Sequence, residues 1–195
     1  MTRSVFFFTT TLVSTTALTA YAQDPGFTLD PIFLGSAFRD DRALLDTPVA
    51  ASVVEGEELE QLVAQVDVVL DCCDNFKTRH AVNRACVKFG KPLVSGAAIR
   101  LDGQLAVFEL NNPQAPCYHC LFPEGDDVSE VRCATMGVFA PLTGVIGTLQ
   151  ASEALKILAG FGQPMYSTLQ IYDSRSCEFT KMKIRKDPKC TVCNA

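Results

Sequence analysis

The chain has 195 residues, 48% of them hydrophobic, enough to bury a core most simply as one domain. Its formal net charge is −5, and its basic residues gather only in Lys181-Met-Lys-Ile-Arg-Lys186, which argues against nucleic acid or an anionic membrane as a partner. Nine cysteines, an odd number that includes the neighbours Cys72 and Cys73, make a poor disulfide framework and fit free thiols and a metal in a reducing, cytoplasmic compartment.

The first residues pull the other way. Met1-Thr-Arg3 precedes a Thr-diluted apolar run from Ser4 to Ala20, and Ala20-Tyr-Ala22 resembles a cleavage site, so the stretch reads as a passable secretory signal. Its hydroxyl residues make it a poor transmembrane helix. Residues 23–50 carry Pro25, Gly26, Pro31, Gly35 and Pro48 without a sustained period, and the expectation there is irregular structure. An altered reading frame or start site is the preferred account of this N-terminal region.

From Glu55 the character changes. Glu57 to Val63 reads as a short helix with an acidic face, and Val66-Asp-Val-Val-Leu70 as a buried strand. Asp74 or Asn75 caps the next helix, whose apolar positions Val82, Ala85, Cys86 and Phe89 fall at i, i+3, i+4 and i+7 and which Gly90 ends. Pro92-Leu-Val94 begins another buried strand. Strand, helix and strand with apolar runs on both sides form a βαβ unit, hence a parallel sheet covered on both faces. A turn at Asp102-Gly103 leads to a strand over 105–110. The span 141–159 reads as a mostly apolar helix, with Gly144 and Gly147 allowing close packing and Gly160 as its stop. Residues 169–173 and 178–184 read as a late antiparallel pair.

Four cysteines in two Cys-x-x-Cys pairs, Cys117-Tyr-His-Cys120 and Cys190-Thr-Val-Cys193, make the thiolate set of a tetrahedral structural zinc site. Asn112, Pro113, Pro116 and Pro123 surround the first pair with loop chemistry, unlike a redox motif opening a helix. Such an ion would pin the C-terminal tail to the body of the domain. Asp71-Cys-Cys-Asp74-Asn75 follows a parallel strand, where open α/β sheets bind ligands. There Asp74 could hold Mg²⁺ on a phosphate-bearing substrate, or simply cap the helix, and Asn75 could reach a ribose or base. Cys72 and Cys73 read as packing residues. Cys133 lies beside Arg132, which favours its thiolate, so it is a candidate nucleophile or sulfur acceptor, or an incidental small residue. His119 decorates the metal loop, and His80 sits on the exposed side of its helix without an evident partner. Neither Gly-x-Gly-x-x-Gly nor Gly-x-x-x-x-Gly-Lys-Ser/Thr occurs.

With these residues in view, the chain resembles the adenylyltransferases of the ubiquitin-activating-enzyme-like superfamily, the MoeB/ThiF/HesA family. The matching stretches are Val68-Val-Leu-Asp-Cys-Cys-Asp-Asn75 through Thr78-Arg79, Pro92-Leu-Val-Ser-Gly-Ala-Ala-Ile-Arg100, Gly103-Gln104 and Pro116-Cys-Tyr-His-Cys-Leu121. Gly137-Val-Phe-Ala-Pro-Leu-Thr-Gly-Val-Ile-Gly147 and the final Cys190–Cys193 pair complete them. The resemblance covers about residues 53–195, and wording such as Val94-Ser-Gly-Ala-Ala-Ile-Arg100 looks more like the molybdopterin branch than the thiazole branch. It implies an α/β, Rossmann-like, mostly parallel sheet with late antiparallel strands. It also implies Mg-ATP-dependent adenylation of the C-terminal glycine of a small ubiquitin-like sulfur-carrier protein, by a homodimer. Asp74 matches the family aspartate at the Mg-ATP site, Cys117, Cys120, Cys190 and Cys193 match its zinc ligands, and Cys133 matches the position that accepts sulfur in the thiazole branch.

The family's glycine-rich nucleotide loop, ribose-binding acid and phosphate-clamping Arg and Lys are not recognisable in residues 1–52. Residues 53–195 are therefore expected to be the C-terminal part of such an adenylation domain, with impaired activity and an exposed strand edge. Two rival readings remain at this point: a non-catalytic, zinc-clipped protein-binding module, and an exported redox protein using its Cys-x-x-Cys pairs.

Overall fold

The computed structural model describes residues 3–9, 29–34, 55–125 and 137–194. Alternation along short apolar strands builds a sheet whose central strands are buried on both faces. In β3 (Val68–Cys72), Val68 and Leu70 turn to one side and Val69 to the other. In β4 (Leu93–Ile99) and β5 (Asp102–Phe108), Leu93, Ala106 and Phe108 join the Val69 side, while Val94, Leu105 and Val107 join the Val68 side. Helices α1 (Gly56–Ala64) and α2 (Phe76–Phe89) cover the first face through Leu59, Val63, Val82, Ala85 and Cys86. Helix α4 (Ala140–Ala159) covers the second through Ala154 and Leu158, and the short α3 (Tyr118–Leu121) joins the first face through Tyr118. A layer of helix on each face is what an apolar period-two pattern on both sides of a strand requires.

With β1 (Arg3–Thr9), β2 (Leu29–Leu34), β6 (Thr168–Asp173) and β7 (Glu178–Lys183), the strands form one sheet in the order β2-β1-β3-β4-β5-β6-β7. The pairs β1/β2, β1/β3 and β3/β4 are parallel, and the pairs β4/β5, β5/β6 and β6/β7 are antiparallel. The mostly parallel core and late antiparallel pair expected from the sequence are both present. Part of the supposedly irregular segment over 23–50 is strand β2, and part of the signal-like run is strand β1. A β-branched and aromatic stretch such as Val5-Phe-Phe-Phe8 suits a strand as well as it suits an apolar signal core. Pro31, which argued for irregular structure, is tolerated because β2 is an edge strand.

Both helix stops fall where the glycines placed them, Gly90 at φ 60° and Gly160 at φ 67°, left-handed conformations that glycine adopts without a Cβ penalty. Two other glycine readings change. The hairpin pairs Ile99 with Asp102, so its turn is Arg100-Leu101 and Gly103 lies inside β5. A Cβ on Gly103 would come within 2.6 Å of Ile146, so this glycine lets α4 approach the sheet. Gly144, read as a close-packing position, has nothing within 4 Å of its would-be Cβ. On the sheet side Gly96 and Gly103 make the close approach, and Gly147 is buried in α4.

At Gly96 the neighbour is Gln150 of α4, whose amide group would lie 2.3 Å from an added Cβ. Gln150 is fixed there, donating from Nε2 to the Asp71 carbonyl at 2.9 Å and the Val94 carbonyl at 3.2 Å. Gly96→Ala should therefore destabilise by about 1–3 kcal/mol in urea unfolding. Combining it with Gln150→Ala should cost less than the sum of the two single changes, because the clash is shared.

Candidate functional site

Strand β3 ends at a buried polar knot. Asp71 is 1% exposed, and its Oδ2 accepts from Arg79 Nη1 at 2.9 Å and from the Ser95 hydroxyl at 2.9 Å. Its Oδ1 accepts from the Cys73 backbone N–H at 3.0 Å, which shapes the chain as it leaves the strand. Arg79 also donates to the Gly96 carbonyl at 2.8 Å and to the Cys73 carbonyl, so one guanidinium ties α2 to the end of β3 and the middle of β4. The sequence carried a signal for this: Arg79 stands three residues before Val82 and seven before Cys86, on the apolar face of its helix.

The loop above this knot presents Asp74 and Asn75, both half-buried. Asn75, not Asp74, caps α2, its Oδ1 accepting from the Thr78 N–H at 2.8 Å. That removes the capping alternative for Asp74, whose carboxylate meets only the Asn75 amide, at 3.5 Å, among the described residues. Cys72 is held against Gln150 Oε1 at 3.3 Å, and burial beside Asp71 pushes its thiol up to about 12. Burial raises the Cys73 and Cys86 thiols as well. All three stay protonated at neutral pH, as packing residues would.

The second feature joins residues far apart in the chain. The Sγ atoms of Cys117, Cys120, Cys190 and Cys193 all lie within 4.8 Å of one another. The Cys117–Cys120, Cys117–Cys190 and Cys120–Cys193 separations are 3.9, 3.7 and 3.5 Å. A tetrahedral ion with sulfur ligands at about 2.3 Å needs sulfur–sulfur edges of about 3.8 Å. A disulfide would need about 2.05 Å. The cluster could hold a metal. The Asp187 N–H points at Cys120 Sγ, 3.5 Å away, as backbone donors do toward thiolate ligands. Burial raises the Cys117 thiol to about 11 and the Cys193 thiol further, so an ion here must displace protons.

Helix α2 braces this loop. Asn83, fully buried, accepts from the Tyr118 N–H at 2.9 Å. His80 is 3% exposed, which corrects its placement on the solvent side of the helix. It lies edge-on to Tyr118 and His119, with ring centroids 5.3 and 5.6 Å apart. The helix has a second covered side because the Cys-x-x-Cys loop folds onto it, a contact that helical periodicity alone cannot show. Arg132 and Cys133 lie outside the described residues. An open groove of about 700 Å³ between α4 and β6–β7, lined by Glu153, Lys156, Tyr166 and Phe179 among others, includes neither Asp74 nor the cysteines.

A sheet that changes from parallel to antiparallel, acidic groups at the carboxyl end of a parallel strand, and a four-cysteine cluster at the tail define a mixed α/β domain with a Rossmann-like sheet. Comparison with known proteins identifies it: the ThiF family model matches residues 44–192, and the chain belongs to that family. It is 46% identical over 150 residues to a molybdopterin-synthase adenylyltransferase of Escherichia coli K12, a match covering 75% of this chain and 58% of that one. It is 45% identical over 141 residues to a sulfur carrier protein adenylyltransferase of Thermus thermophilus, covering 70% of this chain and 52% of that one. The chain thus spans somewhat more than half the length of these relatives. Among solved structures, E. coli MccB with ATP superposes with a TM-score of 0.56 at 16% identity, over 88% of this chain and 48% of that one, a likeness of fold.

Breaking the polar knot has a defined consequence. Arg79→Leu would leave the Asp71 carboxylate buried without its cation and should destabilise by about 3–5 kcal/mol in chemical denaturation. A loss below about 1 kcal/mol would show that the pair does not hold the strand ends.

Proposed function

We propose that the chain takes part in ATP-dependent adenylation of the C-terminal glycine of a small ubiquitin-like sulfur-carrier protein, in the molybdopterin branch of its family. The names of its relatives, a molybdopterin-synthase adenylyltransferase and a sulfur carrier protein adenylyltransferase, support that reading. The observation that carries it is Asp74, a half-buried carboxylate just beyond the carboxyl end of parallel strand β3 and not spent on capping α2. In the reaction a glycine carboxylate oxygen bonds to the α-phosphorus of ATP while the bond to pyrophosphate breaks. Asp74 binds the substrate's Mg²⁺ and so orients the phosphates, which lowers the cost of the charge that builds on the transferring centre. Asn75 has its Oδ1 committed to the cap, which leaves Nδ2 as the group available to a ribose or base. Cys133 is the sulfur-accepting position only on the thiazole reading.

In this reading Cys117, Cys120, Cys190 and Cys193 hold zinc, which supplies a structural cross-link and no chemistry at the acyl phosphate. The eight described cysteines are free thiols, in keeping with a reducing, cytoplasmic setting. Among the described residues no helix is long and apolar enough to cross a membrane. In this reading the chain also pairs with a second copy of itself as a homodimer.

Mg-ATP titration by calorimetry tests the nucleotide site. Binding should require Mg²⁺ and fall about tenfold or more in Asp74→Ala with an unchanged circular dichroism spectrum. Equal binding by both forms would discard Asp74 and favour the non-catalytic module. Because the sequence has no glycine-rich phosphate loop, carrier-dependent ATP–pyrophosphate exchange by the chain alone is expected to be undetectable. For the metal, Cys117→Ser should release zinc and melt the tail, since metal binding free energy is folding free energy here. Retained stoichiometric zinc at an unchanged Tm would count against the clip.

A further inference from the structure

His80, His119 and Glu124 come together beside the cysteine cluster without belonging to it. Each offers one donor atom, and the three atoms lie within 4.8 Å of one another. His80 Nδ1 is 3.9 Å from Glu124 Oε1. Four buried side-chain polar atoms lack a hydrogen-bond partner among the described residues, and two of them are His80 Nδ1 and His119 Nδ1. Buried imidazole nitrogens normally find a donor or acceptor. Two left bare at one spot, next to a carboxylate, point to a ligand that satisfies them together.

We infer that His80, His119 and Glu124 form a second metal site, distinct from the four-cysteine cluster, for a divalent first-row transition ion. Nitrogen and oxygen donors bind such ions at about 2.0–2.2 Å, so opposed ligands stand up to about 4.2 Å apart. The present separations close onto an ion with small side-chain movements, and Glu124, whose side chain is 47% exposed, has room to make them. Arg84 donates to Glu124 Oε1 at 2.7 Å, orienting the carboxylate in the manner of an outer-shell partner. The His80 imidazole is held on its buried side by Phe76 and Tyr118, and His119 packs edge-on against it. Donor chemistry sets the order of filling. Four thiolates take zinc first, while two imidazoles and one carboxylate form a weaker site suited to zinc, cobalt, nickel or copper and unsuited to magnesium or calcium. With three protein ligands, the ion keeps coordination positions for water or a small anion. It would also fasten α2 to the Cys-x-x-Cys loop, independently of the tail.

The test uses the full, reduced, tag-free chain, first loaded with one equivalent of zinc and then titrated with more zinc against a chromophoric chelator. The unmodified chain should take up a second equivalent in a separate, weaker step. Glu124→Gln and His80→Gln should each weaken that second step about 10- to 100-fold while the first step stays unchanged. Cys117→Ser should remove the first step and leave the second detectable. Glu124 sits at the surface, so Glu124→Gln decides the matter even if the His80 variant fails to fold. One equivalent only in the unmodified chain, or a second step indifferent to Glu124→Gln, would overturn the site and reduce the His80–His119 contact to aromatic packing.

Discussion

The Arg79 guanidinium, buried and shared among Asp71, Ser95 and the carbonyls of Cys73 and Gly96, is the contact on which the carboxyl edge of the sheet depends. A strand that ends in a buried carboxylate needs a cation within reach, and helix α2 delivers it from one turn inside its N-terminus. Satisfying Asp71 in this way fixes the exit direction of β3. That in turn sets where Asp74 and Asn75 stand at the mouth of the βαβ unit. A well-packed apolar trio would match the knot for stability. What the charges add is a single allowed arrangement of three chain segments, which a site built on their ends requires. The same region is pinned from the other sheet face by Gln150, which bonds two strand carbonyls through the gap left by Gly96.

The cysteine cluster works at another scale. Cys117 and Cys190 are 73 positions apart, and between them run α4 and the antiparallel strands. An ion held there would close so long a loop and restrict the unfolded chain, while the folded loop keeps its shape by ordinary packing. The tail's own strand β7 is exposed along its whole length and forms the edge of the sheet, so it is held by hydrogen bonds to β6, by the Tyr172–Phe179 ring contact and by the burial of Ile184 just beyond it. Asn83 and Tyr118 join the Cys-x-x-Cys loop to α2, the helix that also holds Arg79. The two polar centres are thus joined through one helix.

Much of this was readable in the residues. The two Cys-x-x-Cys pairs named their own cluster because thiols at that spacing have few other uses. Strand β3, helix α2 and its glycine stop followed from period and capping chemistry. The failures have physical reasons. Strand β1 is composed of residues that serve a signal core and a strand equally, so nothing local in the run marks the strand that pairs with β3. His80 was misplaced because helical periodicity shows a single apolar stripe, whereas α2 is packed on two sides. Gly103 looked like a turn residue when its task is to let α4 approach, and no local pattern separates those uses. Asp71 and Arg79 were visible as letters, but their pairing needs the third dimension.

The capping assignment is the step that changes the functional argument. From sequence, Asp74 and Asn75 compete for one job, and whichever caps the helix is partly consumed by it. An Asn cap keeps a neutral side chain at the start of α2, where the helix's own partial positive charge is then available to an anion. Had Asp74 been the cap, its carboxylate would have neutralised that charge and turned away from the mouth of the sheet. With Asn75 in the role, the loop presents a carboxylate for a cation beside a helix end that favours phosphate. On the proposed reading, that pairing of opposite preferences is what a magnesium–nucleotide complex would use.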